Sequence, residues 1–328
     1  MHAMLARSAM RPALARAGWR CFSSSGTVAG QLYICGTGES NKLGLGAGDT
    51  SDRETPTLVS ALEGVPVVQV SCGRYHTAAL SADGDVYAWG LESSGQLGLG
   101  SARTKAPVPT KVEALSSIGV KALSCGLYHT LALTEAGEVY SCGFGGSFLN
   151  GVGGLGTGER TQVETPVKLA AFGGDDSELG VAAATVSAGG YHSVALDAEG
   201  GAWSWGRGEW GRLGHTDSSD CYEPTRIESE ELGPRVRACL AGDVHSGALA
   251  PDGSVYTWGR NENWQLGYEV SGLLNAGQSL DAQQEPQIVE MDTESKVSQL
   301  SCGELGTAAL LEDGSVYVWG VRAAPCRQ

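Results

Sequence analysis

VVQVSCGRYHTAALSADGDVYAWG, residues 67–90, is one of five copies of a single pattern. The others are VKALSCGLYHTLALTEAGEVYSCG (120–143), ATVSAGGYHSVALDAEGGAWSWG (184–206), VRACLAGDVHSGALAPDGSVYTWG (236–259) and VSQLSCGELGTAALLEDGSVYVWG (297–320). QLYICG (31–36) is a half-copy. The closing glycines Gly36, Gly90, Gly143, Gly206, Gly259 and Gly320 stand 54, 53, 63, 53 and 61 residues apart. A second signature follows most of them: ESNKLGLG (39–46), LESSGQLGLG (91–100), GRLG (211–214) and WQLG (264–267). A proline beside a short apolar run then completes each interval, at Pro56, Pro109, Pro166, Pro224 and Pro286.

Each copy reads as four short strands, A to D. Val67–Ser71 is apolar and β-branched, which suits a buried inner strand. His76–Leu80 returns after a Gly turn, and Asp83-Gly84 then links it to Val86–Trp89 through a tight hairpin that favours glycine. Pro109–Val112 is the fourth strand, because proline belongs at a sheet edge. A four-stranded unit repeating at ~50 residues is a propeller blade. The expectation is therefore an all-β chain, a β-propeller of about six to seven four-stranded blades. Its ring is expected to be incomplete in this chain: Leu32–Cys35 and Thr55–Val59 supply only C and D at one end, and 297–320 supplies only A, B and C at the other.

The Gly-x-x-His-Thr element, the Gly-x-Val-Tyr-x-Trp-Gly strand and the Gly-Gln-Leu-Gly loop resemble the regulator of chromosome condensation family. The resemblance runs over 31–320. It implies seven blades closed by pairing of the terminal strands. It also implies several functions, because one propeller fold serves unrelated tasks. Among them are protein binding, guanine-nucleotide exchange on a small GTPase, and organelle RNA processing or ribosome assembly.

Composition narrows these. Gly is 49 of 328 residues, about twice the usual share, and charged residues are 18 %, so the chain is neither disordered nor a coiled coil. No apolar run approaches the ~18 residues of a membrane span. The formal charge is −15, and four of the 22 basic residues, Arg7, Arg11, Arg16 and Arg20, precede the first acid, Glu39. Without those four the balance is 18 basic against 37 acidic, or −19, which repels a phosphate backbone and argues against direct nucleic-acid contact.

Residues 1–22 are Arg-bearing, Ala-rich and acid-free, the features of an organelle transit peptide. Arg20-Cys21-Phe22-Ser23 resembles a mitochondrial processing site cut after Phe22. The expected organisation is a mitochondrial leader (1–22), a linker (23–30), the propeller (31–320) and an irregular tail (321–328). The matrix is the expected compartment, with a plastid as the alternative.

No catalytic, cofactor or metal site is legible. His76, His129, His192 and His245 recur once per blade, whereas ligands of one metal must converge to ~2 Å from it, so they read as blade-building groups. Cys72, Cys125 and Cys302 alternate with Ala188 and Ala241, and Cys35 and Cys142 take the slot of Trp89, Trp205, Trp258 and Trp319, which marks packing positions. Gly151–Gly156 fits GxGxxG without the strand–helix unit a dinucleotide site needs. The departures from the repeat carry the functional reading. Insertions at 144–152, 172–180 and 268–284, together with Trp210 and Trp264, bring Phe144, Phe148, Trp210, Trp264 and Tyr268 to loops. Two readings stand side by side: anchors for a protein partner, a small GTPase included, or aromatics packed inward. The sequence thus predicts a non-enzymatic mitochondrial propeller that binds protein.

Overall fold

The computed structural model describes residues 30–100, 105–147, 151–173, 180–270 and 282–320. In chain order, β1 (Tyr33–Gly36) and β2 (Arg53–Leu58) pair as a two-stranded sheet. β3 (Val67–Cys72), β4 (His76–Ser81), β5 (Val86–Leu91) and β6 (Lys105–Lys111) form a four-stranded antiparallel meander. β7 (Val120–Cys125), β8 (His129–Thr134) and β9 (Val139–Gly143) begin the next sheet. After a short hairpin, β10 (Gly146–Ser147) and β11 (Gly151–Val152), β12 (Val163–Lys168) completes that sheet as its fourth strand. Two more four-stranded meanders follow. One is β13 (Ala183–Ala188), β14 (His192–Asp197), β15 (Ala202–Gly206) and β16 (Cys221–Arg226); the other is β17 (Ala238–Ala241), β18 (His245–Leu249), β19 (Val255–Arg260) and β20 (Ala282–Ile288). β21 (Val297–Cys302), β22 (Gly306–Leu311) and β23 (Val316–Gly320) make a three-stranded sheet.

These are the expected blades, with one systematic difference. The outer strands start earlier than the prolines suggested: β6 begins at Lys105 rather than Pro109, and β2 at Arg53 rather than Thr55. The register explains it. Opposite β5, Ala88 faces Thr110 but Gly90 faces Ala106, so the outer strand spends two extra residues over the same span. The same shift recurs at Ser141↔Val167 with Gly143↔Val163, at Ser204↔Thr225 with Gly206↔Cys221, and at Thr257↔Gln287 with Gly259↔Gln283. A proline inside such a bulge removes no ladder hydrogen bond. The glycine facing the bulge is obligatory. Gly90 has φ +111°, and a Cβ there would lie 2.5 Å from the Tyr75 carbonyl oxygen.

The described chain separates into two compact units, Met1–Phe144 with Thr161–Leu169, and Gly145–Arg160 with Ala170–Gln328. In the first, Leu80, Val86, Trp89, Leu97, Val112, Leu115 and Leu123 form the core. In the second, Val194, Ile227, Val236 and Trp258 form one cluster, and Val255, Val297, Leu300 and Leu311 another. Every strand B is buried along its length in the full four-stranded sheets. Phe172, at the start of an insertion read as a rim loop, is instead fully buried, with its ring 5.8 Å from Trp203 and 6.0 Å from Trp205.

Candidate functional site

Pairing of His76 with Gly90 brings the end of β5 beside the start of β4. The A–B turn and the C–D loop of each blade therefore share one end. Two different structures are built there, one joining blades and one at the surface.

The joint centres on a loop carbonyl. The Lys42 carbonyl accepts from the Thr77 hydroxyl (2.9 Å) and the Trp89 indole N–H (2.9 Å) of the following blade. The Gly154 carbonyl accepts from Ser193 (2.7 Å) and Trp205 (2.9 Å), and the Arg212 carbonyl from Ser246 (2.7 Å) and Trp258 (3.1 Å). In the blade with Cys142 in the tryptophan slot, Thr130 donates to the Gln96 carbonyl at 2.7 Å and Cys142 Sγ stands 3.8 Å from it. Where the slot holds a tryptophan, the last glycine of the loop makes room for it: a Cβ on Gly214 would lie 2.8 Å from Trp258 Nε1.

The repeated histidines join the same network. His76 Nε2 lies 2.8 Å from Thr130 Oγ1, His192 Nε2 2.9 Å from Ser246 Oγ, and His245 Nε2 2.9 Å from Thr307 Oγ1. Each of those hydroxyls already donates its one hydrogen to a loop carbonyl, of Gln96, Arg212 and Gln265 respectively. The hydroxyl must then accept from the ring, which sets the Nε2–H tautomer. Burial pushes the pKa of His76 down to about 3, with the neighbouring His129 adding to it, and burial alone brings His129 and His245 to about 4. All three are neutral imidazoles at physiological pH. Among the described residues no group of three or more His, Cys, Asp or Glu is placed to hold a metal.

The second structure is aromatic and cationic; Trp264 and Arg74 are exposed in it and the other rings are half-buried. In the second unit Trp210 (φ +69°) and Trp264 (φ +63°) sit in left-handed backbone that bulky side chains rarely adopt. The Arg260 guanidinium covers the Trp210 ring at 4.6 Å and pairs with Glu262. Arg207 covers Tyr191 at 5.8 Å and pairs with Glu209 at 2.7 Å. Arg212 is buried beneath them, donating Nε–H to the Glu209 carbonyl at 2.7 Å, and burial brings it down to about 10. Trp264 is 54 % exposed.

In the first unit Phe144 meets Tyr128 (ring centroids 6.3 Å apart), and Tyr128 meets Tyr75 (5.5 Å). Arg74 covers Tyr75 at 5.5 Å, and the Lys42 ammonium lies 6.0 Å from the same ring.

The sequence-predicted aromatics therefore have different fates. Phe144, Trp210 and Trp264 lie at the loop end of their blades. Tyr268 turns inward: its hydroxyl donates to the Thr257 carbonyl at 2.7 Å and its ring packs on the Val297–Leu300 cluster. Phe148 lies outside the described residues. The 144–152 insertion is tied down where it is described, since the Val152 amide donates to Asp220 Oδ2 at 3.0 Å and Val152 is buried. Sequence reading missed Arg74, Tyr75, Tyr128 and Arg260 as members of these arrays. The aromatic immediately before the repeated histidine, at Tyr75, Tyr128 and Tyr191, was the available signal.

Residues 19–324 match the family profile described as the RCC1-like domain. The ultraviolet-B receptor UVR8 of Arabidopsis thaliana is 33 % identical over 299 residues, 91 % of this chain and 62 % of that protein. The mitochondrial RCC1 domain-containing protein RUG3 of the same plant is 32 % identical over 301 residues, covering 91 % and 63 %. The chain thus spans less than two thirds of either relative. The crystal structure of Prp20p from Saccharomyces cerevisiae, described with its binding to Gsp1p and histones, matches with a TM-score of 0.74 at 25 % identity over 88 % of this chain and 65 % of that one. Human WBSCR16 matches with a TM-score of 0.70 at 28 % identity, over 88 % and 71 %.

Proposed function

The chain belongs to the RCC1-like domain family, and from that membership we propose that it is a non-enzymatic mitochondrial β-propeller that binds a protein partner through the loop ends of its blades. The observation that carries the reading is Trp264. It is 54 % exposed and held at φ +63°, at the repeat position where Gly95 and Gly211 stand in other blades. A half-exposed tryptophan in that conformation costs the fold ~1–2 kcal/mol relative to glycine, a cost expected of residues kept for binding. Tryptophan, tyrosine and arginine are also the side chains that dominate protein interfaces. Trp264→Gly should leave the far-UV circular dichroism unchanged and reduce recovery of crosslinked protein from isolated mitochondria. Equal recovery by the two proteins would remove the carrying observation.

Mitochondrial placement draws on the acid-free leader and on the likeness to RUG3. Mass spectrometry of the mature N-terminus tests it, with Ser23 expected as the first residue and an intact Met1 as the contrary result. The likeness to Prp20p supports a second reading, exchange activity on an organelle small GTPase. Release of labelled guanine nucleotide from matrix GTPases separates it from simple binding.

A further inference from the structure

Two loops of the chain carry the same pattern, an acid three residues ahead of a cation and then Leu-Gly. They are Glu39-Ser-Asn-Lys42-Leu-Gly in the first unit and Glu209-Trp-Gly-Arg212-Leu-Gly in the second. Both cations are buried, Lys42 at 7 % exposure and Arg212 at 2 %. In the second loop the acid balances its cation: Glu209 Oε2 lies 3.4 Å from the Arg212 guanidinium and 2.7 Å from that of Arg207. Gln96 and Gln265, buried at the same loop position elsewhere, are neutral.

In the first loop the balance is missing. Lys42 Nζ donates to the Arg74 main-chain carbonyl at 3.2 Å, in the A–B turn of the following sheet, and Glu39 stays exposed. Among the described residues no carboxylate pairs with Lys42, and that one carbonyl uses one of its three ammonium hydrogens. A second cation stands beside it. The Arg74 guanidinium covers the Tyr75 ring at 5.5 Å, with Nε donating to the Tyr75 hydroxyl at 3.1 Å, and the Lys42 ammonium lies 6.0 Å from the same ring. The ring offsets part of this positive charge but carries no net negative charge of its own. A buried ammonium without a counter-ion is costly. The chain has 37 acidic residues, and Glu39 stands three positions away, so the missing charge is a property of this place and not of the composition.

We propose that Lys42 and Arg74, beside the Tyr75 ring, form an oxyanion seat whose occupant is the carboxylate of an acidic side chain on the protein partner. The lysine stem is covered while its ammonium reaches the turn that bears the exposed Arg74, which leaves the charged end toward solvent. Lys42 brings unshared ammonium hydrogens and Arg74 a second positive charge, and hydrogen bonds between ionised groups are the strong ones. The seat lies at one end of the row Tyr75, Tyr128 and Phe144, so a partner segment laid along those rings reaches it. The seat stands on the geometry of the first unit alone; that a partner supplies the carboxylate rests on the binding reading above.

Titration of the whole purified chain with potassium acetate, against potassium chloride at equal ionic strength, tests the seat with no partner present. The Arg74 Nε–H nuclear magnetic resonance signal, assigned by its loss in Arg74→Gln, should move with acetate and saturate. Lys42→Met keeps the length of the side chain and the main-chain carbonyl that joins the sheets. It should weaken acetate binding roughly tenfold or more, the value of one hydrogen bond to a charged group. A response that does not saturate, or one equal in wild type and Lys42→Met, overturns the seat. Potassium phosphate is the second probe, and saturation by phosphate with none by acetate overturns the carboxylate assignment. Should Lys42→Met fail to fold, melting temperatures in acetate against chloride decide the matter: wild type should gain more than Arg74→Gln, and equal gains overturn the seat. Failure of this titration leaves the binding reading standing, because no partner enters it, and failure of the Trp264→Gly capture leaves the seat standing.

Discussion

Thr130 offers the sharpest test of how neighbouring blades are joined. Its hydroxyl takes a hydrogen from His76 Nε2 at 2.8 Å and gives one to the Gln96 carbonyl at 2.7 Å. Thr130→Val keeps the shape and removes both bonds. His76 and Gln96 are each fully buried, so neither can turn to water. The substitution leaves a buried donor and a buried carbonyl without this partner, at ~1–2 kcal/mol each, which places the loss at about 2–4 kcal/mol. Thr130→Ser is the control, because Ser193 and Ser246 perform the same task in other blades. Serine keeps both bonds and gives up one methyl group, worth ~1 kcal/mol. Urea unfolding followed by circular dichroism and by tryptophan fluorescence should rank wild type above Thr130→Ser and Thr130→Ser above Thr130→Val, with ~2 kcal/mol between the two variants. Coincidence of the two probes would show a single transition, and separate transitions would assign the loss to the unit containing β4 and β8. If Thr130→Val were as stable as Thr130→Ser, the hydroxyl would not be the joint, and the tautomer assigned to His76 would lose its basis.

Two further outcomes follow from the same network. Gly214→Ala should cost ~2 kcal/mol or more, since its φ of +82° opposes a side chain and the new methyl would meet the Trp258 indole; a thermal melt superimposable on wild type would contradict the packing. His245, held at about 4 against 6.5 in the unfolded chain, stabilises the fold fully above pH 6.5 and loses that contribution as pH falls toward 4. His245→Ala should therefore be destabilised by ~2 kcal/mol at pH 7.5 and show a shallower loss on acidification, with no change in metal content by elemental analysis. Stoichiometric metal lost with that substitution would refute the structural reading of the histidine.

Much of the fold was legible because one ~50-residue pattern repeats, and each copy must meet the same local constraints. Asp83-Gly84 marks the B–C hairpin, where Gly84 does adopt a positive φ of +81°. Gly90 marks the point where strand C approaches the turn before His76 too closely for any side chain. Alternation of Cys with Ala or Trp marked five positions as packing ones; of these Cys125 and Cys142 are buried, Cys35 and Cys302 are half-buried, and Cys72 is exposed. The outer strands were placed late because proline argues locally for an edge but says nothing about a bulge, which exists only once strand C supplies a register to miss.

Site residues were less legible, for a reason the aromatics show individually. Trp264 and Tyr268 stand four residues apart in one loop, and nothing in that spacing separates them. Trp264 is 54 % exposed on left-handed backbone, while the Tyr268 hydroxyl reaches in to the Thr257 carbonyl. Phe172 opens an insertion yet ends against Trp203 and Trp205. By itself the sequence determined the repeat, the strands within it and the turn glycines, which depend on interactions a few residues long, and it showed one histidine per blade without its partner. Tertiary structure alone decided which carbonyl each histidine-bound hydroxyl serves, which aromatics are exposed, and that Lys42 reaches the Arg74 carbonyl instead of an acid, since each joins groups from different blades or loops whose separation along the chain carries no trace of their distance in space.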